Sequence, residues 1–166
     1  MEFKAWPKIP RLSNEKEFYT EKLDGTNACI AFAEDGSYHV QSRSRIITPE
    51  DDNYGFARWV EANLEELRKL GEGYHYGEWW GNGIQRGYDL KEKRFSLFNT
   101  KRWGEHNPNT PACCHVVPVI NRESVDDAIL ALKKHGSFAA PGYMKIEGIV
   151  VYKYLTDSFY KVIVDK

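Results

Sequence analysis

Hydrophobic and polar positions follow two periods along this chain. Residues 28–33, Ala-Cys-Ile-Ala-Phe-Ala, alternate as a strand does, and Glu34-Asp35-Gly36-Ser37 supplies Asp-Gly turn chemistry before residues 38–42, so a β-hairpin is predicted here. Between residues 54 and 70 the apolar side chains Phe56, Trp59, Val60, Leu64 and Leu67 recur at helical spacing, with Asn53 as N-cap and Gly71 as the stop. Residues 74–80 and 94–99, rich in Tyr, Trp, Phe and Leu, predict further strands. Ser124 followed by Asp127 has the form of a capping box ahead of Ala128, Ile129, Leu130 and Leu132, and Gly136 closes this second helix. Two β-rich runs, 148–152 and 160–164, flank Thr156-Asp157-Ser158. Strands outnumber helices without a regular βαβ rhythm, which predicts an α+β fold of antiparallel β-sheets with flanking helices. No repeat, low-complexity tract or linker interrupts the pattern, so residues 1–166 are expected to form a single domain.

Composition narrows the setting. The 166 residues are enough to bury a core without disulfides or metals, and no apolar run approaches the roughly 20 residues of a membrane-spanning helix. The first residues contain no signal-like apolar segment, so a cytoplasmic location is expected, that of the host if the source is viral. Cys29, Cys113 and Cys114 are odd in number and two are adjacent, which suits buried small hydrophobes better than disulfides or zinc. His39, His75, His106, His115 and His135 fall in no metal-ligand spacing. A net charge of −1 argues against wholesale coating of nucleic acid, so any polyanion site must be local. The local clusters are Arg43 with Arg45, then Arg86, Lys91, Lys93 and Arg94, then Lys101 with Arg102, each equally readable as a solvated face. Five Trp, eight Phe and ten Tyr fit either a heavy core or stacking platforms for bases.

The sharpest chemical signal is Glu21-Lys22-Leu23-Asp24-Gly25-Thr26-Asn27. At a strand end, residues i and i+2 point to the same side, so Lys22 and Asp24 can share a pocket, and Gly25 allows a turn or a close approach to a ligand. On these residues alone, an Asp-Gly turn beside an exposed lysine is as good a reading.

The stretch Lys-Leu-Asp-Gly-Thr-Asn resembles motif I of the covalent nucleotidyltransferases, the superfamily of DNA ligases, RNA ligases and mRNA-capping enzymes. Other elements follow in family order. Ser42-Arg43 resembles motif Ia, Gly77-Glu78-Trp79-Trp80-Gly81 motif III, and Phe95-Ser96-Leu97-Phe98-Asn99 motif IIIa. Glu147-Gly148-Ile149-Val150-Val151 is similar to motif IV and Lys161 to the lysine of motif V. Asn27 at the sixth position of motif I is similar to RNA ligases, the nearest group being phage-type RNA ligases.

The resemblance implies an ATP-dependent polynucleotide ligase acting on an RNA or other strand with a 5′-phosphate, by way of AMP covalently held on Lys22. It implies that Asp24 organises Lys22 or metal-bound water and that Lys161 neutralises triphosphate charge. Arg43 would grip a phosphate, Glu78 the ribose hydroxyls, Phe98 the adenine face, and Glu21 the adenine edge. Asn27 would also belong to the nucleotide site, and Glu147 would recruit Mg²⁺ or Mn²⁺, a hard cation suited to oxygen ligands. An ammonium with a reference pKa of about 10.4 must lose its proton before it can attack phosphorus.

Two departures from the family pattern stand out. Ile163 occupies the place of a second motif V lysine, leaving only the terminal Lys166 to compensate, and Asn99 stands where an acid is usual. A monomer without a C-terminal accessory domain or membrane contact is expected. The alternatives are a related enzyme, either a DNA ligase or a capping-type guanylyltransferase, and a non-catalytic nucleic-acid-binding module.

Overall fold

A computed structural model describes residues 1–6 and 16–164; the expectation for Lys166 lies outside the described residues. Among the described residues, nine strands form two sheets. The larger sheet contains β2 (Thr26–Phe32), β3 (Tyr38–Ser42), β4 (Ile46–Ile47), β5 (Gly73–Gly81), β6 (Lys93–Leu97) and β7 (His115–Val116), in the order β4-β3-β2-β5-β6-β7. The smaller contains β1 (Glu17–Lys22), β8 (Gly148–Lys153) and β9 (Ser158–Ile163), in the order β1-β8-β9. Each of these strand pairs is antiparallel except β6 with β7. The α+β expectation is met, and so is the hairpin, with Gly36 at a φ of 87° in its turn.

The first predicted helix is broken. Helix α1 (Phe56–Ala62) stops at Asn63, helix α2 (Leu64–Leu67) follows, and a 3₁₀ turn carries the chain to Gly71, the predicted stop. Asn53 does not cap it. Gly55 holds the N-cap position at a φ of 80°, and the Asp52 carboxylate accepts the Ala57 and Arg58 N–H groups instead. Spacing alone could not reveal this, because both residues are good caps and only the left-handed turn at Tyr54 and Gly55 selects Asp52. The capping at Ser124 is as predicted: its hydroxyl accepts the Asp127 N–H at 3.1 Å and opens helix α3 (Val125–His135), which Gly136 terminates.

The two sheets are packed by separate cores. The large sheet covers α1 and α2 with Ile30, Phe32, Val40, Trp79, Phe95 and Leu97. The small sheet covers α3 with Tyr19, Ile149 and Val151, meeting Ala128 and Leu132. A third cluster sits at the seam, formed by Leu23, Trp80, Tyr88, Val117 and Ala140. Residues 117–120 stitch the sheets together: Val117 N–H donates to Leu97 O, Glu21 N–H to Pro118 O and Ile120 N–H to Tyr19 O. One sheet face is thus left on each side of a shared cleft.

Gly25 closes the seam. A Cβ there would lie 2.3 Å from Trp79 O and 2.7 Å from Trp80 Cβ, so the glycine serves close packing against β5 rather than a turn. Because the obstruction is backbone and the root of a fully buried side chain, Gly25→Ala is expected to lower stability by about 1–3 kcal/mol, measurable as a reduced urea midpoint at unchanged slope.

Candidate active site

Strand alternation delivers Lys22 to the cleft. In β1, Tyr19 enters the α3 core, and Phe18, Thr20 and Lys22 occupy the other face. Register continues the pattern: Lys22 lies opposite Gly148, which lies opposite Ile163, and Thr20 lies opposite Val150, which lies opposite Lys161. Lys161 therefore shares the face of Lys22, one row away. Across the cleft, Phe98 follows β6 and Leu97, with 43% of its surface exposed, and lines the same space. The cleft measures about 640 Å³ and reaches from Lys22 and Leu23 past Phe98 and Val150 to Tyr152 and Phe159.

At its mouth the Lys22 ammonium donates to Glu147 Oε2 at 2.9 Å, joining residues 125 positions apart. Glu78, on the cleft face of β5, accepts the Gly25 N–H at 2.9 Å and stands opposite Asn27 in the β2–β5 register. Burial pushes the Glu78 carboxyl up to about 7; the Gly25 N–H and Lys22 oppose the rise, while Glu147 and Asp24 add to it. Burial and Glu147 likewise raise Asp24. Three carboxylates thus crowd one lysine in a partly dehydrated mouth, an arrangement that a bound cation would relieve.

Two roles expected from the sequence take a different form. Asp24 pairs with the Arg86 guanidinium at 3.2 Å, and its N–H donates to the Tyr88 hydroxyl at 2.8 Å. Glu21 falls on the opposite face of β1 from Lys22, fully buried, where it accepts from Ser137 Oγ and from the Phe138 and Ala139 N–H groups. The carboxylate therefore anchors the turn after α3, while Glu21 also counts among the residues that line the cleft. Arg43 is exposed just beyond β3, at the end of the sheet that carries Asn27, since Ser42 pairs with Ala28. Asn99 lines the cleft and accepts the Arg102 N–H at 3.2 Å.

Arg86 and Tyr88 belong to this site, although neither lies in one of the motifs. In the sequence Arg86 reads only as part of a basic cluster. Its Nη1 also donates to Lys145 O, so one guanidinium ties Asp24 to the segment leading into Glu147. Tyr88 sits at a φ of 55°, buried between Trp80 and Tyr143. The non-glycine positive φ values at Gln85, Tyr88 and Asp89 are a tertiary signal with no counterpart in periodicity.

For a divalent metal, the donors are of the right kind and incomplete in number. Among the described residues no three His, Cys, Asp or Glu side chains converge as a metal site. Glu147 offers a hard oxygen at the cleft mouth, which fits an ion that keeps waters and takes further ligands from phosphate. No helix among the described residues is long and apolar enough to cross a membrane. Cys29 and Cys114 are buried and Cys113 half-buried, all as free thiols.

The fold and family are identified by comparison. Naegleria gruberi RNA ligase, as a mutant with ATP and Mn, superimposes with a TM-score of 0.62 at 22% identity, covering 91% of this chain and 51% of that one. The same enzyme with PPi gives 0.61 at 23%, covering 91% and 50%, and a mutant with AMP and Mn gives 0.61 at 21%, with the same coverage. This chain spans about half the length of those solved relatives, and the likeness bears out the expected nucleotidyltransferase fold. No curated protein matches the sequence. The RNA ligase family model matches residues 16–163, from β1 through β9, and the chain belongs to that family.

Proposed function

We propose that this protein is an ATP-dependent RNA ligase in which Lys22 carries AMP. The observation that carries the reading is the Lys22–Glu147 pair, with Glu78 close enough to interact with both, at the mouth of a cleft that Phe98 lines. A structural lysine would need none of this convergence from β1, β5, β6 and the lip of β8.

In the first step the Lys22 ammonium gives a proton to solvent and the resulting amine attacks the α-phosphorus of ATP; an N–P bond forms, the bond to the bridging oxygen of the β-phosphate breaks, pyrophosphate leaves, and the nitrogen sheds its second proton to solvent. AMP then passes to the 5′-phosphate of a polynucleotide, freeing Lys22. A 3′-hydroxyl displaces AMP and seals the strand. Glu147 holds the lysine in place until the nucleotide arrives, and Arg86 holds Asp24 off the amine, its Nε 3.2 Å from the carboxylate. Glu78 sits where ribose hydroxyls could donate to it, and the Phe98 ring offers a face to adenine across from Val150. Asn27 and Arg43 stand at the same end of the large sheet, suited to phosphate. Lys161 supplies a second positive charge on the small sheet, in a row next to the one where Ile163 supplies none. A divalent cation at Glu147 would neutralise phosphate charge as pyrophosphate departs. In the cell, a soluble protein in the cytoplasm fits this chemistry, because ATP and reduced thiols are found there.

The relatives with ATP, AMP and Mn support this reading. A DNA ligase or capping-type enzyme would use the same lysine, and the choice of nucleotide and strand separates them.

Incubation with ATP and Mg²⁺ should add one AMP mass in intact mass spectrometry, and Lys22→Ala should abolish it; an adduct that survives this substitution overturns the assignment. Glu147→Gln should move the Mg²⁺ dependence of adduct formation to higher concentration by at least about tenfold. Glu78 generates a third expectation. Its carboxyl titrates near 4.5 when unfolded and near 7 when folded, so the folded state holds the extra proton and stability falls as pH rises through that window. A tenfold difference in proton affinity is worth about 1.4 kcal/mol, which brings the loss to about 3 kcal/mol by pH 8. Glu78→Gln, which keeps an acceptor for Gly25, should therefore be more stable than wild type at pH 8 and lose that advantage near pH 5, as read by thermal melts at the two pH values.

A further inference from the structure

The large-sheet wall of the cleft carries two tyrosines next to Phe98 to which the adenylation chemistry above gives no role. On β5, Tyr74 and Tyr76 project to the cleft side and are 58% and 55% exposed, unusual for rings at the centre of a sheet. Their planes lie 15° apart with centroids at 6.2 Å, so the two rings are nearly parallel. His39 stands edge-on to Tyr74, and the His39 ring bonds the Gln41 carbonyl, leaving the Gln41 amide N–H groups able to donate. The cross-strand neighbours of the two tyrosines on β2, Cys29 and Ala31, are small and buried.

Register connects this face to the catalytic end. Along β2 and β5 the pairs run Ala31–Tyr74, Cys29–Tyr76 and Asn27–Glu78, so the tyrosine track starts one row beyond Glu78 and runs away from Lys22. Arg43 leaves the neighbouring strand at the Asn27 end. Flat exposed rings spaced along a central strand, with amide donors beside them and a cation where the track meets the active site, match the requirements for unpaired bases.

We infer that the β3-β2-β5 face binds the single-stranded end of a polynucleotide, two successive bases stacking on Tyr76 and Tyr74 while the terminal phosphate lies at the Asn27–Arg43 end. This rests on the polynucleotide ligase reading and sharpens it to unpaired ends, because bases in a duplex are already stacked on one another and cannot cover these rings.

The test is fluorescence anisotropy of a labelled, 5′-phosphorylated single-stranded oligoribonucleotide of about ten nucleotides, with the full chain and no ATP. Tyr74→Leu and Tyr76→Leu should each weaken binding by about tenfold, whereas Tyr74→Phe and Tyr76→Phe should retain it, with thermal melts verifying that all four fold. A blunt duplex of the same sequence should compete poorly. Leu variants that bind like wild type, or a duplex that competes equally, overturn the inference, as does absence of oligonucleotide binding, which would leave the face to a protein partner. The assay needs no adenylation, so loss of the AMP adduct would sink the ligase reading without deciding this one.

Discussion

The site depends on the seam between two sheets that pack on separate helices. Gly25 lies flat against the Trp79 carbonyl and the Trp80 side chain, and its N–H is held by Glu78 at 2.9 Å. That contact sets the depth at which β1 ends and β2 begins, and so fixes how far Lys22 stands from the large sheet. The stitch of residues 117–120 performs the same task from the other edge of β1. A domain with a single core would have no such gap; two sheets packed on separate cores, joined at the seam by only a small apolar cluster, leave a cleft between them.

The electrostatics of the mouth follow from that geometry. Lys22 and Asp24 come from one stretch of the chain and Glu78 and Glu147 from two others, and the seam brings the three together. The arrangement is tense: one ion pair at 2.9 Å, one at 3.2 Å, and a buried carboxyl driven to near neutrality by lack of water. Such tension is found where charge is going to arrive, since a phosphate chain with its metal rearranges the balance that burial has upset. Arg86 completes the mouth by linking the motif I acid to the segment that leads to Glu147.

The aromatic residues of this chain divide into two kinds. Phe56, Trp59, Trp79 and Phe95 interlock with centroids 5.0–5.9 Å apart and form core. Tyr74, Tyr76 and Phe98 stand on the open face with their rings in reach of solvent. Composition alone could not separate these groups, because a ring in a strand reads the same whichever way the pleat turns it.

Much of the fold was legible from periodicity: the hairpin of β2 and β3, the strands β5, β6, β8 and β9, and the helix opened by Ser124 all follow local rules of alternation and capping. The break at Asn63, the cap at Asp52 and the short strands β4 and β7 were not, since each answers to the tertiary surroundings more than to its own neighbours in sequence. In the site, no single motif between Lys22 and Lys161 was decisive, and it was their order along the chain that made the chemistry readable. What folding alone decided is which carboxylate faces which cation: Glu21 turned to the α3 side, Asp24 to Arg86, and Glu147 to Lys22. A sequence specifies charge and reach, but strand register and the packing of two sheets determine which charges meet, because a one-residue change of face reverses a side chain's surroundings.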